Sequence, residues 1–287
     1  MTTQSVCLVL TRPLWQGAPD ILADELQAAA RTSLPAHWSL RVVSAPLQRL
    51  IPLTEARYLP TPLPTGEGRG LLVATSPASV EALLASPEVG AGLGAEIAKD
   101  PGRWVLTGVG EASVSALEHW FQTRPHAASP GASGRPEVWR MPTDLGSGAE
   151  PFLQWLSHRR SLLCTGTTAV LLEAQENQPV LAEGLASLGI PTQRLRFYRR
   201  VSCPMPMIAP RASEVVGLVI SSSTVVDAAI AGLRAQAVEP LEAVWMTHHP
   251  RIAQALTAAL GIEITPLLEG LSALQILSGM ARLNFRV

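Results

Sequence analysis

Strand-like and helix-like runs alternate along almost the whole chain, and this alternation restricts the possible folds more than any other feature. Short apolar runs fall near 5–11, 39–44, 70–75, 103–109, 161–165, 192–197, 215–221, 242–247 and 262–265. Ala- and Leu-rich runs with helical spacing fall near 17–31, 77–86, 111–122, 148–158, 179–188, 223–236, 250–260 and 270–282. A helix between consecutive strands is a crossover connection, so the pattern predicts mainly parallel sheets covered by helices on both faces. Nine strands are many for one sheet and comfortable for two.

An internal repeat points the same way. "LLVATSPASVEALLA" (71–85) aligns without a gap to "GLVISSSTVVDAAIA" (217–231). Each has an apolar strand, a hydroxyl pair (Thr75–Ser76, Ser221–Ser222), a helix start and then an acid, Glu81 or Asp227. "WVLTGVGEASVSAL" (104–117) and "AVWMTHHPRIAQAL" (243–256) share the same strand-turn-helix order more weakly. The predicted fold class is therefore α/β, with two doubly wound parallel-sheet domains. The Pro/Gly-rich stretches 58–70 and 124–136 read as surface loops. "CPMPMIAP" (203–210), with Pro204, Pro206 and Pro210, reads as a stiff connection between domains.

Polar chemistry gathers where strands end. "LVLTRPLWQ" (8–16) stops at Thr11-Arg12-Pro13, because proline cannot continue a ladder and the Leu, Ala and Glu beyond it favour helix. Open α/β sheets hold ligands beyond the carboxyl ends of their strands. Thr11, Thr75–Ser76, Ser113, Thr165 and Ser221–Ser222 all read as sitting where a strand hands over to a helix. Singly, each hydroxyl is explained as a helix N-cap. Together, several such ends facing one cleft would make a polar pocket that accepts anions. Both readings stand.

Composition narrows the partners. Charged residues make up 16% of the 287 and the net charge is −1, with no basic block, which argues against a nucleic-acid partner. Lys99 is the only lysine, so positive charge is carried by arginine, which suits bidentate anion recognition and is also what GC-rich coding produces. No run reaches 18 uninterrupted apolar residues and the first ten residues lack a basic segment, so neither a membrane span nor a secretion signal is predicted, and the expected location is cytoplasmic. Cys7, Cys164 and Cys203 are few, odd in number and far apart, and read as reduced thiols.

Cofactor and nucleophile motifs fail. "TGVGEAS" places Ser113 where a dinucleotide fingerprint needs its third glycine, and "CTGTTA" is not followed by Gly-Lys-Ser/Thr. No G-x-S-x-G elbow occurs. His248–His249 lacks metal-ligand spacing and reads as a pair of loop histidines. No cofactor and no metal are expected.

Six stretches in order, "LVLTRPLWQ" with "LADEL", "LLVATSPASVEALL", "GVGEASVSAL", "LASLGIPTQRLRFYRRV", "GLVISSSTVVDAAI" and "RIAQALTAALGI", resemble the signatures of the uroporphyrinogen-III synthase family. The resemblance runs from about residue 6 to 282. It implies two α/β domains joined by a two-segment linker with a cleft between them. Residues 1–47 plus 203–287 would form domain 1 and 48–198 domain 2, with crossings at 199–202 and about 48–52. It also implies a cofactor-independent cyclising lyase of haem and porphyrin biosynthesis, which converts hydroxymethylbilane to uroporphyrinogen III with inversion of ring D and loss of water. Hydroxide leaves an electron-rich pyrrole to give an azafulvenium cation, and a spiro intermediate at ring D then fragments and recloses. Such chemistry asks the protein to orient the chain, help hydroxide leave and block the uninverted closure.

Carried onto matching positions, Tyr198 in "FYRRV" would assist hydroxide departure; an interdomain packing tyrosine is the competing reading. Arg12, Thr75, Ser76, Ser113 and Ser222 match family positions lining the cleft, and the strand-end reading adds Thr11, Thr165 and Ser221 as donors to the eight substrate carboxylates. Thr165-Gly166 stands where the family often carries Arg-Gly, "LLEAQENQPVLAEGL" lacks a Gly-Arg-Glu, and Arg251-Ile252-Ala253 replaces a Thr-Thr-Ala. Those departures keep open a non-catalytic bilobal binding protein for a tetrapyrrole or another small polyanion. The partners implied are hydroxymethylbilane and a hand-over from hydroxymethylbilane synthase, with no nucleic acid, no membrane and a monomeric state.

Overall fold

From the amino end, the chain forms β1 (Gln4–Leu10), β2 (Leu14–Trp15), α1 (Ile21–Ser33), β3 (Trp38–Ser44) and β4 (Gln48–Pro52). There follow β5 (Gly70–Ala74), α2 (Pro77–Ala85), α3 (Pro87–Lys99), β6 (Trp104–Gly108), α4 (Glu111–Gln122), β7 (Glu137–Val138) and α5 (Ala149–His158). The remainder is β8 (Thr168–Ala174), α6 (Val180–Ser187), β9 (Thr192–Ser202), β10 (Glu214–Val219), α7 (Val226–Arg234), β11 (Val244–Met246), α8 (Pro250–Leu260) and α9 (Ala273–Arg282). This computed structural model describes residues 4–53, 68–123, 134–146, 148–163, 165–211, 213–265 and 268–283. Cys164 and most of the loops expected at 58–70 and 124–136 lie outside the described residues.

Two compact units result, Met1–Leu50 with Arg200–Val287 and Ile51–Arg199. In the first, four strands in the order β11-β10-β1-β3 are all parallel. Side chains alternate across β1: Val6, Leu8 and Leu10 pack with Leu22 and Leu26 of α1 and Ile276 and Met280 of α9. Cys7 and Val9 pack on the other face with Ile230 of α7 and Leu256 of α8. A central strand apolar on both faces reads as an unbroken hydrophobic run, and each such side chain contributes about 1.5–3 kcal/mol by leaving water.

The second sheet runs β2-β4-β9-β8-β5-β6-β7, and the pairings from β9 to β7 are parallel. Leu71, Val73, Val105, Ala169 and Leu171 face α5 and α6 through Phe152, Trp155 and Leu185. α2 and α4 cover the opposite face. Both units are thus doubly wound α/β, the class the alternation predicts.

The sequence repeat has a structural meaning. β5-α2 and β10-α7 occupy corresponding places, and the order β9-β8-β5-β6 in one unit corresponds to β3-β1-β10-β11 in the other. The units differ by a circular permutation, since β1-α1-β3 opens the chain whereas its counterpart β8-α6-β9 closes the second unit.

Two expected strands are corrected and one helix is added. The strand expected at 161–165 is displaced: Arg160–Leu162 is a single 3-10 turn, and the pairing is made by the longer apolar run "TAVLLEA" of β8. Residues 262–265 form no strand. α3 appears where its glycines disfavour helix, because Val89, Leu93 and Ile97 recur at a spacing of four and bury one face.

Candidate functional site

The carboxyl end of β1 is the first candidate. Thr11 is fully buried and its hydroxyl donates to Val219 O at 2.8 Å, so it ties β1 to β10. Arg12 donates through Nε (3.0 Å) and Nη2 (2.7 Å) to Asp20 Oδ1. Asp20 is 4% exposed against 33% for Arg12. Its other oxygen accepts from Ser44 Oγ at 2.6 Å, and the same side chain caps α1 by accepting from Ala23 N. One buried carboxylate therefore orients the arginine and starts the helix.

A small concavity beside it is lined by Leu10, Thr11, Arg12, Leu22, Ser221 and Leu271. Ser221 Oγ is shielded from solvent and has no hydrogen-bond partner among the described residues. Ser222 is the N-cap of the 3-10 turn leading into α7, accepting from Thr224 N. Just beyond β11, His249 caps α8 by accepting from Arg251 N at 3.1 Å, while burial holds the His248 imidazole below its usual pKa. Among the described residues no group of three or more His, Cys, Asp and Glu could hold a metal ion.

In the second unit, Thr75 Oγ1 donates to Leu172 O (2.9 Å) and accepts from Asn177 Nδ2 (3.2 Å). Ser76 caps α2, accepting from Ser79 N, and Pro77 takes the first helical position. Ser76 Oγ lies 3.4 Å from Tyr198 OH. That contact depends on an irregularity in β9: Glu173 pairs with Arg196, but the next residue, Ala174, pairs with Tyr198. Phe197 is the extra residue, so Tyr198 is turned onto the α2 face, where strict alternation would have sent it to the side of Arg196. The Tyr198 ring is fully buried.

Ser113 and Thr165 do not join these groups. Ser113 is 3% exposed in the first turn of α4, packed where a Cβ on Gly108 would come within 2.8 Å of it. The glycine of "TGVGEAS" thus serves a close turn. Thr165 is exposed and precedes β8, at the amino end of the strand and away from the carboxyl rim; the misplaced strand at 161–165 is the reason for that correction. Cys7 and Cys203 are free thiols, and burial raises the pKa of both, which disfavours the reactive thiolate.

Sequence reasoning missed Asp20, Ser44, Glu173, Asn177, Arg194 and Arg196. An Asp just before a helical run is a recognisable cap, and a Glu inside "AVLLEA" calls for a cationic partner, but neither signal identifies the partner.

The fold and these rims define a two-unit α/β protein whose strand ends present hydroxyls and guanidinium groups. Among solved structures, uroporphyrinogen III synthases are similar to this chain in fold. A mutant enzyme from the extremely thermophilic bacterium Thermus thermophilus is 18% identical with a TM-score of 0.48, covering 95% of this chain and 100% of that one. The Helicobacter pylori enzyme is 14% identical with a TM-score of 0.49, covering 94% and 99%. No family model and no curated protein sequence matches the chain.

Proposed function

We propose that this chain is a uroporphyrinogen-III synthase, cyclising hydroxymethylbilane with inversion of ring D and loss of water, without a cofactor. The ordered sequence motifs support the reading, and the observation that carries it is the pairing of Ser76 and Tyr198 at the head of α2. In the proposed step the pyrrole electrons expel hydroxide from the terminal hydroxymethyl group. Ser76 gives that oxygen a proton and takes one from the Tyr198 phenol. The positive end of α2 favours the developing negative charge. The proton returns when the recyclised ring loses its own, so one water leaves per turnover. Arg12, Ser221 and Ser222 serve as donors to substrate carboxylates, whereas the Thr75 hydroxyl is already spent on Leu172 O. Substrate handed over from hydroxymethylbilane synthase would suit a labile bilane.

The test is to give purified protein freshly made hydroxymethylbilane, oxidise the product and separate the isomers. Type III product above the spontaneous background is expected, and type I alone at the spontaneous rate would overturn the reading. The complete burial of Tyr198 favours one other reading, a non-catalytic polyanion-binding protein; porphyrin binding without turnover would select it.

A further inference from the structure

Glu173 is a carboxylate in an apolar strand, 2% exposed, and it is matched by more positive charge than it needs. Arg194 Nε and Arg196 Nε both donate to its single oxygen Oε1, Arg196 at 3.1 Å. The register explains why both reach it: Leu171 pairs with Arg194 and Glu173 with Arg196, so the three charged side chains share the face of the sheet covered by α5 and α6. Arg194 Nη2 also donates to Asn177 O at 2.9 Å, and Asn177 Nδ2 donates to Thr75 Oγ1. The cluster is therefore wired to the carboxyl rim.

One arginine would neutralise Glu173. The second leaves a local charge of +1, and Arg196 is 40% exposed. Among the described residues, neither Nη of Arg196 and not Nη1 of Arg194 donates to anything. Two guanidinium groups, pinned by one buried carboxylate on a β-strand and with N–H groups to spare, suit the capture of an incoming carboxylate. The buried anion supplies orientation, and the surplus cation supplies attraction.

We infer that Arg194 and Arg196, held side by side by Glu173, form a carboxylate-binding platform at the rim of the second unit. It takes an acetate or propionate arm of the polycarboxylate tetrapyrrole, and so rests on the function proposed above. The platform lies on the sheet face opposite Ser76 and Tyr198, with Thr75 at the edge between them. It therefore anchors the substrate and takes no part in hydroxide departure.

The experiment titrates the full chain with uroporphyrin III, the unreactive oxidised form of the product, and separately measures KM and kcat with hydroxymethylbilane. Arg196→Gln leaves Glu173 paired with Arg194, so its thermal midpoint should stay within about 2 °C of the parent, while uroporphyrin binding weakens about tenfold or more. KM should rise with kcat nearly unchanged. Arg196→Lys, which keeps the charge and loses the fork, should recover part of the affinity. If the parent binds or converts substrate and Arg196→Gln behaves like it, or loses only stability, the platform is wrong and the function stands. If the parent neither binds uroporphyrin III nor yields the type III isomer, the function itself fails, and the platform with it.

Discussion

The carboxylate of Asp20 accepts from Arg12 at 2.7 Å while capping the helix that begins at Ile21. Two tasks thus fall on one nearly inaccessible side chain, and substitutions separate them. Asp20→Ala removes both and should lower stability by about 1–2 kcal/mol. Asp20→Asn keeps the cap, since asparagine caps as well as aspartate, and should cost clearly less. Asn also releases Arg12, so KM for hydroxymethylbilane should rise in this variant. Urea midpoints and steady-state kinetics check the two effects independently.

Tyr198→Phe removes only a hydroxyl from a fully buried ring. Turnover should fall at least tenfold, with a stability change below about 1 kcal/mol. A loss of about 1–2 kcal/mol with normal turnover per folded molecule would instead assign the phenol to structural hydrogen bonding. Ser76→Ala should lose turnover and about 1 kcal/mol, because its oxygen also caps α2.

Gly108 allows the tight approach of β6 to α4. An added Cβ would meet Ser113 Cβ at 2.8 Å and the backbone oxygen of Ala74 at 3.0 Å. Gly108→Ala is expected to destabilise by about 1–3 kcal/mol, measured by chemical unfolding.

Acid should weaken the first unit through Glu214. Its side chain is 2% exposed and accepts from Arg41 Nη2 at 2.6 Å and from Arg211 N at 2.9 Å. The hydrogen bond from Arg41 holds its pKa below the ordinary value of 4.5. A depressed carboxylate pKa stabilises the fold above the unfolded-state value, and that contribution disappears as pH falls through the folded-state value. Glu214→Gln should therefore be less stable at neutral pH and lose less on acidification from about pH 5 to pH 3, as followed by thermal midpoints.

Much of the architecture was legible in the order of residues. Alternating runs required crossovers and hence parallel sheets, and the 71–85 and 217–231 repeat marked two related units. The caps at Ser76 and Ser222 followed from hydroxyls placed just before helical runs. These features are local or periodic, and a backbone obeys them whatever lies across the sheet. The shift at Ala174 that turns Tyr198 toward Ser76 was not legible, nor was the reach of Arg12 to Asp20, the gathering of Arg194 and Arg196 on Glu173, or the burial of Ser113. Each of these depends on register between strands distant in sequence, or on packing between elements. A single extra residue in a strand reverses which face a side chain meets, and only the assembled sheet determines where that residue is accommodated.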